Sequence, residues 1–472
     1  MMRRPNILLL YTDQQRWDAI GVNGNAEILT PNLDRLAAEG VNFDHHFVQN
    51  PVCMPSRVSM LTGQYPSALR ITHMGVPVPL DTVALPHLLR PYGYRTANIG
   101  KLHFLPHANR DHRTPHPAYG FDHLEISDEP GVYEDAYRAW VRRLAPDQLD
   151  FLSVGLPPAT RVWYDVMGVA DSVTHPGVAA RADFTGAIPF PGDERFTHSA
   201  FVADQTIEFL TQQRATGQPF LCIAGFYSPH APWVAPQRFL DLYDREALPV
   251  PAYPPDQEAK RTAPGFTDAR LRSARHGYYA MVSEVDHHVG RILAALAAHG
   301  LAENTIVLFT SDHGEWLGEH LRFGKGYPGD DAVSRTPLIV RWPAGIAAPG
   351  RVVSQMVEAV DIVPTLLETA GIQRSPGLQG QSLLPTWQHR PFTGKSAALM
   401  EFTGWKNLRT ANFRYLVHAD GSELLWDLRS DPGEYSNVAN DPAYTTELAE
   451  HRRLLLQKLI QIEQPLERIW PY

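Results

Sequence analysis

The sequence predicts an α/β protein: a large, mostly parallel central sheet flanked by helices, followed by a small C-terminal α+β subdomain with an antiparallel sheet. Three observations predict it. Short apolar runs alternate with stretches of helical periodicity, the pattern of strands joined by crossover helices. Polar motifs recur directly after those runs, at the strand ends where open α/β sheets bind their ligands. The composition shifts after Leu384-Pro-Thr-Trp-Gln-His-Arg-Pro391, beyond which hydrophobic and polar residues alternate. The 472 residues divide accordingly into a catalytic domain at 1–388, which carries the motifs, and a subdomain at 389–472.

Residues 6–11 are the first strand, and 95–99, 219–226 and 305–310 are further buried strands, with a shorter one at 338–341. Between them, 201–213 and 276–299 have helical spacing. The second puts Val282, Val285, Val289, Ile292 and Leu296 on one face, to pack on the sheet. Residues 104–118 and 156–195 are rich in Pro, His, Gly and Asp with weak periodicity; they are long excursions of the kind that frame enzyme sites. His107, His112 and His116 in the first excursion fit no standard metal spacing and are assigned to solvated loop. In the subdomain, 398–402, 413–418 and 423–427 alternate as strands and 445–463 forms a long helix.

At 44% hydrophobic and 20% charged residues, the composition is that of an ordinary soluble protein. A net charge of −9 excludes a basic coat for nucleic acid, which needs Lys and Arg against phosphates. The two cysteines, Cys53 and Cys222, make no disulfide framework. Cys222 lies in the apolar run Phe220-Leu-Cys-Ile-Ala-Gly-Phe226 and is read as a packed, inert thiol. The apolar run at the N-terminus stops short of the ~7–15 residues of a signal peptide core, and no run approaches the ~18 of a membrane span. A cytoplasmic enzyme with no membrane or nucleic-acid partner is the expectation.

The motifs fall in one place. Asp13-Gln14 follows the first strand. Cys53 precedes a helix with Pro55 near its first turn, where the helix N-terminus favours an anion. Lys101 and His103 follow strand 95–99 in Gly100-Lys-Leu-His103. His230 follows 219–226 in Tyr227-Ser-Pro-His-Ala-Pro-Trp233. Asp312-His313 follows 305–310 in Thr310-Ser-Asp-His-Gly-Glu315, and Lys325 comes next in Phe323-Gly-Lys-Gly326. Singly, each is as well explained by a helix cap or a turn; their shared position gives them chemistry. Asp13, Asp312 and His313 are candidate ligands for a divalent cation, which polarises the oxygens of an anionic ester. Lys101, Lys325 and Arg57 add positive charge, and His103 and His230 can transfer protons near neutral pH.

The stretch Pro51-Val-Cys-Met-Pro-Ser-Arg-Val-Ser-Met-Leu-Thr-Gly63 resembles the signature of the sulfatase family, in which the cysteine of Cys-x-Pro-x-Arg is oxidised to formylglycine. The other motifs resemble sulfatase motifs in sulfatase order over essentially the whole chain, down to Glu423-Leu-Leu-Trp-Asp-Leu-Arg-Ser-Asp-Pro-Gly-Glu434. The resemblance implies an alkaline phosphatase-like fold and a sulfuric ester hydrolase acting on a small-molecule anionic ester. It implies that a formylglycine-generating enzyme converts Cys53, whose hydrated aldehyde attacks sulfur and gives the metal an oxygen beside Asp13, Asp312 and His313. Arg57 and Lys101 then stabilise the diol oxygens, and His230, helped by Lys325, assists the leaving alcohol. His103 takes the proton that lets the aldehyde reform. Gln14, Lys101, His230 and Lys325 are the implied substrate contacts.

Two departures bear on the substrate. Many sulfatases have Asp-Asp where this chain has Asp13-Gln14, and Asp-Asn where it has Asp312-His313. The combination resembles choline sulfatases and phosphonate monoester hydrolases of the same superfamily. One carboxylate fewer and one imidazole more make the site less hard, which brings Mn²⁺ in beside Ca²⁺, with Mg²⁺ third. Gln14 is either a carbonyl-oxygen ligand or a hydrogen-bond donor to substrate. Sulfate ester hydrolysis is the first reading and phosphonate monoester or phosphodiester hydrolysis the second; an inactive binding homologue is a remote third. Phosphatases and mutases of the superfamily use Ser or Thr where Cys53 stands. Tyr227, Trp233, Trp316 and Tyr327 suit either a pocket for an aromatic or quaternary ammonium group or ordinary packing. The substrate alcohol and any homo-oligomer are not legible.

Overall fold

The computed structural model describes residues 4–106, 114–152, 186–262, 265–374 and 377–463. Eight strands form the central sheet: β1 Asn6–Thr12, β2 Val41–Phe43, β3 Arg95–Gly100, β4 His123–Ile126, β5 Phe220–Gly225, β6 Thr305–Ser311, β7 Leu338–Arg341 and β8 Arg351–Val353. Their order is β8-β2-β7-β6-β1-β5-β3-β4. Every pairing is parallel except the two made by β7, so β7 alone runs against the rest. The expected mostly parallel sheet is present, and the shortest anticipated strand is its reversed member.

Helices cover both faces. Ile7, Leu9 and Tyr11 of β1 pack with Val58 and Leu61 of α1 (Cys53–Thr62) and with Val363 and Leu366 of α4 (Ile362–Thr369). Leu8 and Leu10, pointing the other way, pack with Phe201 and Val202 of α2 (His198–Thr216) and Val285, Val289 and Ile292 of α3 (Asp268–Ala298). This period-2 division of one strand between two cores is what burial on both faces demands. The α3 face read from the sequence is fully buried, but the helix begins eight residues earlier than its apolar spacing shows. Thr267 caps it by accepting the Arg270 N–H. Cys222 is buried in β5, as a packed thiol.

The C-terminal part is a four-stranded antiparallel meander, β9 Ala397–Phe402, β10 Trp405–Thr410, β11 Phe413–His418 and β12 Glu423–Asp427. The helix α5 (Thr445–Ile462) lays Leu448 and Leu455 against Leu399, Leu408, Tyr415 and Leu425. Alternation failed to show β10, because Lys406, Asn407 and Arg409 interrupt it. Among the described residues no helix is long and apolar enough to cross a membrane.

The strand ends that matter finish level. Tyr11 pairs with Gly225, Gly225 with Gly100, and Thr12 with Ser311. Two glycines permit this closure: a Cβ on Gly100 (φ 88°) would lie 2.1 Å from the Gly225 oxygen, and one on Gly225 would lie 2.2 Å from the Lys101 oxygen. The Lys101 N–H consequently donates to the Gly225 carbonyl at 2.7 Å, which sets Lys101 beside the end of β5, the strand next to β1.

Candidate active site

Asp13, Lys101, Asp312 and His313 all follow these strand ends, and Cys53 is the first residue of α1. Each side chain is buried. The thiol of Cys53 lies 3.6 Å from Asp13 Oδ1, 3.2 Å from His313 Nε2 and 2.8 Å from Lys325 Nζ. One donor atom each from Asp13, Cys53, Asp312 and His313 lies within 4.8 Å of all the others.

The two carboxylates are used alike. Asp13 Oδ2 is 2.7 Å from Lys101 Nζ and 3.4 Å from Arg57 Nη2. Asp312 Oδ2 accepts from Arg57 Nε at 2.7 Å. Each Oδ1 instead approaches His313 Nε2, at 3.7 and 3.6 Å respectively. A cation thus fixes one oxygen of each acid and leaves the other toward His313, the arrangement that orients ligands in metal sites, with Asp312 Oδ1 also accepting the Gln14 backbone N–H at 3.0 Å. Arg57 lies one helical turn beyond Cys53, so it reaches Asp13 and Asp312. It stacks over Tyr11 at 4.5 Å. The cation in contact with Cys53 itself is Lys325.

Electrostatics fit the same picture. Burial opposes ionisation of Asp13, but Lys101, then Lys325 and Arg57, outweigh it and hold the carboxyl well below its usual range. Burial lowers His313 to about 4, so the imidazole is neutral at pH 7. Its Nδ1 lies 2.9 Å from the Gly314 carbonyl, which fixes the proton there and leaves a lone pair on Nε2. That lone pair and two carboxylate oxygens repel one another unless a cation lies among them. Two oxygens, one imidazole nitrogen and position 53 make a mixed O/N donor set that suits a divalent ion such as Mn²⁺. Burial, followed by Asp13, pushes the Cys53 thiol up to about 11; unmodified, it is no thiolate nucleophile at neutral pH.

The remaining predicted residues lie on the segments that follow the same strand ends. His103 (φ 55°) follows Lys101, and its N–H and that of Leu102 both donate to Asp128 Oδ1 at 2.9 Å. Half-buried His230 has Nδ1 2.5 Å from the Ala231 oxygen and its ring 4.9 Å from that of Tyr227. Burial, then Lys325, keeps it well below the ordinary histidine range. Gln14 has φ 67° and donates its backbone N–H to Asp312 Oδ1 at 3.0 Å and a side-chain N–H to Glu315. Of the aromatic candidates, Trp233 packs in the core against Tyr278 and Phe323, Trp316 is buried and donates to Asp330, and Tyr327 is exposed. Tyr227 lies under Lys101, its ring 5.0 Å from Nζ. His116 is not among the convergent groups, and His107 and His112 lie outside the described residues. Sequence reasoning missed Tyr11, Asp128 and Glu315 as supports; Glu315 was in plain view, two residues beyond His313.

A family model described as "Sulfatase" matches residues 5–372, and one described as "N-sulphoglucosamine sulphohydrolase, C-terminal" matches residues 318–463. The chain belongs to the sulfatase family. It is 29% identical to an arylsulfatase of Clostridium perfringens, covering 97% of this chain and 94% of that one. It is also 29% identical to a choline-sulfatase of Rhizobium meliloti, covering 93% and 83%. Among solved structures, it superimposes on a phosphonate monoester hydrolase of Agrobacterium radiobacter with a TM-score of 0.83 at 26% identity, covering 99% of this sulfatase and all of that chain. The family and its arylsulfatase relatives make this sulfatase a sulfuric ester hydrolase.

Proposed function

We propose that this sulfatase cleaves sulfate esters of small-molecule alcohols in a metal-dependent reaction, with formylglycine derived from Cys53 as nucleophile. One observation carries the reading: Cys53, heading Cys-x-Pro-x-Arg at a helix N-terminus, lies within 3.6 Å of Asp13, His313 and Lys325. The Sγ atom stands in for the oxygen of the modified residue. Hydrated formylglycine supplies an oxygen nucleophile, and a divalent cation held by Asp13, Asp312, His313 and position 53 polarises the ester oxygens.

The chain's own groups do the rest. Lys325 meets the anion beside position 53, and Lys101 and Arg57 keep Asp13 and Asp312 ionised and aimed. His230 rests neutral with its proton at Nδ1, toward the Ala231 oxygen. The negative charge of a bound sulfate favours its protonation, and the imidazolium then gives the Nε2 proton to the departing alcohol. His103 accepts the proton whose loss releases sulfate from position 53.

Phosphonate monoester hydrolysis is the second reading, supported by the superposition above and by Gln14 and His313. Assays of aryl sulfate, choline sulfate, a phosphonate monoester and a phosphodiester, each with Mn²⁺ and with Ca²⁺, separate the two. Protein made with a formylglycine-generating enzyme should show an aldehyde or its hydrate at residue 53 by peptide mass, and highest kcat/KM on a sulfate ester. Full activity in wholly unmodified protein would refute the nucleophile.

A further inference from the structure

Glu315 is wholly buried and has no part in the chemistry above. Its Oε1 accepts the Leu317 N–H at 3.1 Å and the Gly324 N–H, and its Oε2 accepts the side-chain amide N–H of Gln14. The Gln14 backbone is pinned independently: its N–H donates to Asp312 Oδ1 at 3.0 Å, and its carbonyl accepts from Tyr278 Oη at 2.8 Å. What stays undecided is the two-fold rotation of the side-chain amide, and Glu315 decides it. With Oε1 committed to two backbone donors and Oε2 able only to accept, the Gln14 NH₂ turns toward Glu315. The Gln14 carbonyl Oε1 is left buried with no hydrogen-bond partner among the described residues.

We propose that Glu315 is a positioning residue with two outputs. It locks the Gln14 amide with its carbonyl oxygen uncommitted, as a neutral oxygen donor to the cation. It also fixes Gly324, and with it the neighbouring Lys325, whose Nζ sits 2.8 Å from Cys53 Sγ. The buried, unpartnered carbonyl is the mark of the first output, because a buried polar atom is normally satisfied and a cation would satisfy this one. The two possibilities for Gln14 are thereby resolved: its NH₂ already serves Glu315, and its oxygen is the atom on offer. This inference rests on the metal-dependent reading of the site.

The test is Mn²⁺ titration of chelator-stripped protein by calorimetry, with residue 53 in one verified state of maturation. Glu315→Gln is isosteric, but its new amide must keep its oxygen on the two backbone N–H groups and turn its NH₂ toward Gln14. That forces the Gln14 amide to rotate and present NH₂ instead of oxygen. Mn²⁺ affinity should fall by about 10–100-fold, the usual effect of losing a partner that orients a metal ligand. Gln14→Glu combined with Glu315→Gln restores both a donor–acceptor pair and an inward oxygen, so affinity should return to near wild type. In a Gln14→Ala background, Glu315→Gln should cost nothing further.

Wild-type affinity in Glu315→Gln, or no recovery in the double variant, would overturn the inference while leaving the metal site standing. If wild type binds no Mn²⁺, or Asp312→Asn binds it equally well, the metal-dependent reading itself fails. Should Glu315→Gln not fold, the double variant decides: near-wild-type affinity supports positioning through Gln14, and its loss overturns it.

Discussion

His230 is the residue whose resting state most constrains the chemistry. Burial and Lys325 hold its pKa well below the ordinary value, so it gains its proton only when an anion offsets the lost solvation and the lysine charge. His230→Ala should therefore slow esters of poorly acidic alcohols far more than activated aryl esters, since a nitrophenolate leaves without a proton and an alkoxide does not. General acid catalysis is typically worth about 10²–10⁴-fold, and that gap should appear in kcat/KM across a series of leaving groups. The pH dependence has a definite sign: with alkyl esters, turnover falls as pH rises through the pKa of the substrate-bound imidazole. In His230→Ala that limb should disappear. An equal loss for every leaving group would show that His230 only positions the ester.

At the scale of elements, α3 carries a buried acid that the reaction does not use. Glu284 is 2% exposed, its Oε1 has no hydrogen-bond partner among the described residues, with His288 Nε2 4.0 Å away, and burial raises its pKa to about 7 despite hydrogen bonds from Thr197 and Ser199. The folded state binds this proton more tightly than the unfolded chain does, so stability falls as pH climbs from ~4.5 to about 7. The full swing corresponds to on the order of 3 kcal/mol. Glu284→Gln, neutral at every pH, should flatten that limb, so the variant gains on wild type between pH 5 and pH 8 in urea unfolding. An unchanged slope would mean that the carboxyl is ionised in the fold. This group was invisible in the sequence, where the helical pattern marks Glu284 only as a polar neighbour of Val285. Its burial arises because the start of α2 and the turn at 194–197 close over that flank.

At the scale of the molecule, Glu358 gathers groups from distant parts of the chain. It is buried and receives Lys395 Nζ at 2.6 Å, Lys458 Nζ at 3.0 Å and Tyr65 Oη at 2.6 Å; Lys395 also reaches Asp361 at 2.6 Å. Burial opposes ionisation of Glu358, yet Lys395 and then Lys458 bring its pKa down to about 2. A depressed acid contributes stability that is present above ~4.5 and lost as pH falls toward 2. Lys395→Met leaves two buried carboxylates short of their cation and should cost about 3–5 kcal/mol at pH 7, read from denaturant midpoints. The deficit should shrink toward pH 2 as the carboxyls are protonated.

The sequence by itself determined the α/β class, the strand runs at residues 6, 95, 219 and 305, and the motifs that follow them. It also marked Cys53 at a helix start, three of the four C-terminal strands and the C-terminal helix. These are local properties: a buried parallel strand is an apolar run, a helix face is a spacing, and a motif is contiguous. Tertiary structure decided what depends on partners far apart in the chain. The reversal of β7 depends on its pairing with β2 and β6. The polar strand β10 is buried because Asn407 donates to the Pro328 carbonyl and Arg409 pairs with Asp331, partners some eighty residues away. Above all, the sequence could name Asp13, Gln14 and Asp312 but not say which atom of each is engaged, and by what. Lys101 holds Asp13 Oδ2, Arg57 holds Asp312 Oδ2, and Glu315 accepts from the Gln14 side-chain amide, contacts between residues that only the folded chain brings together.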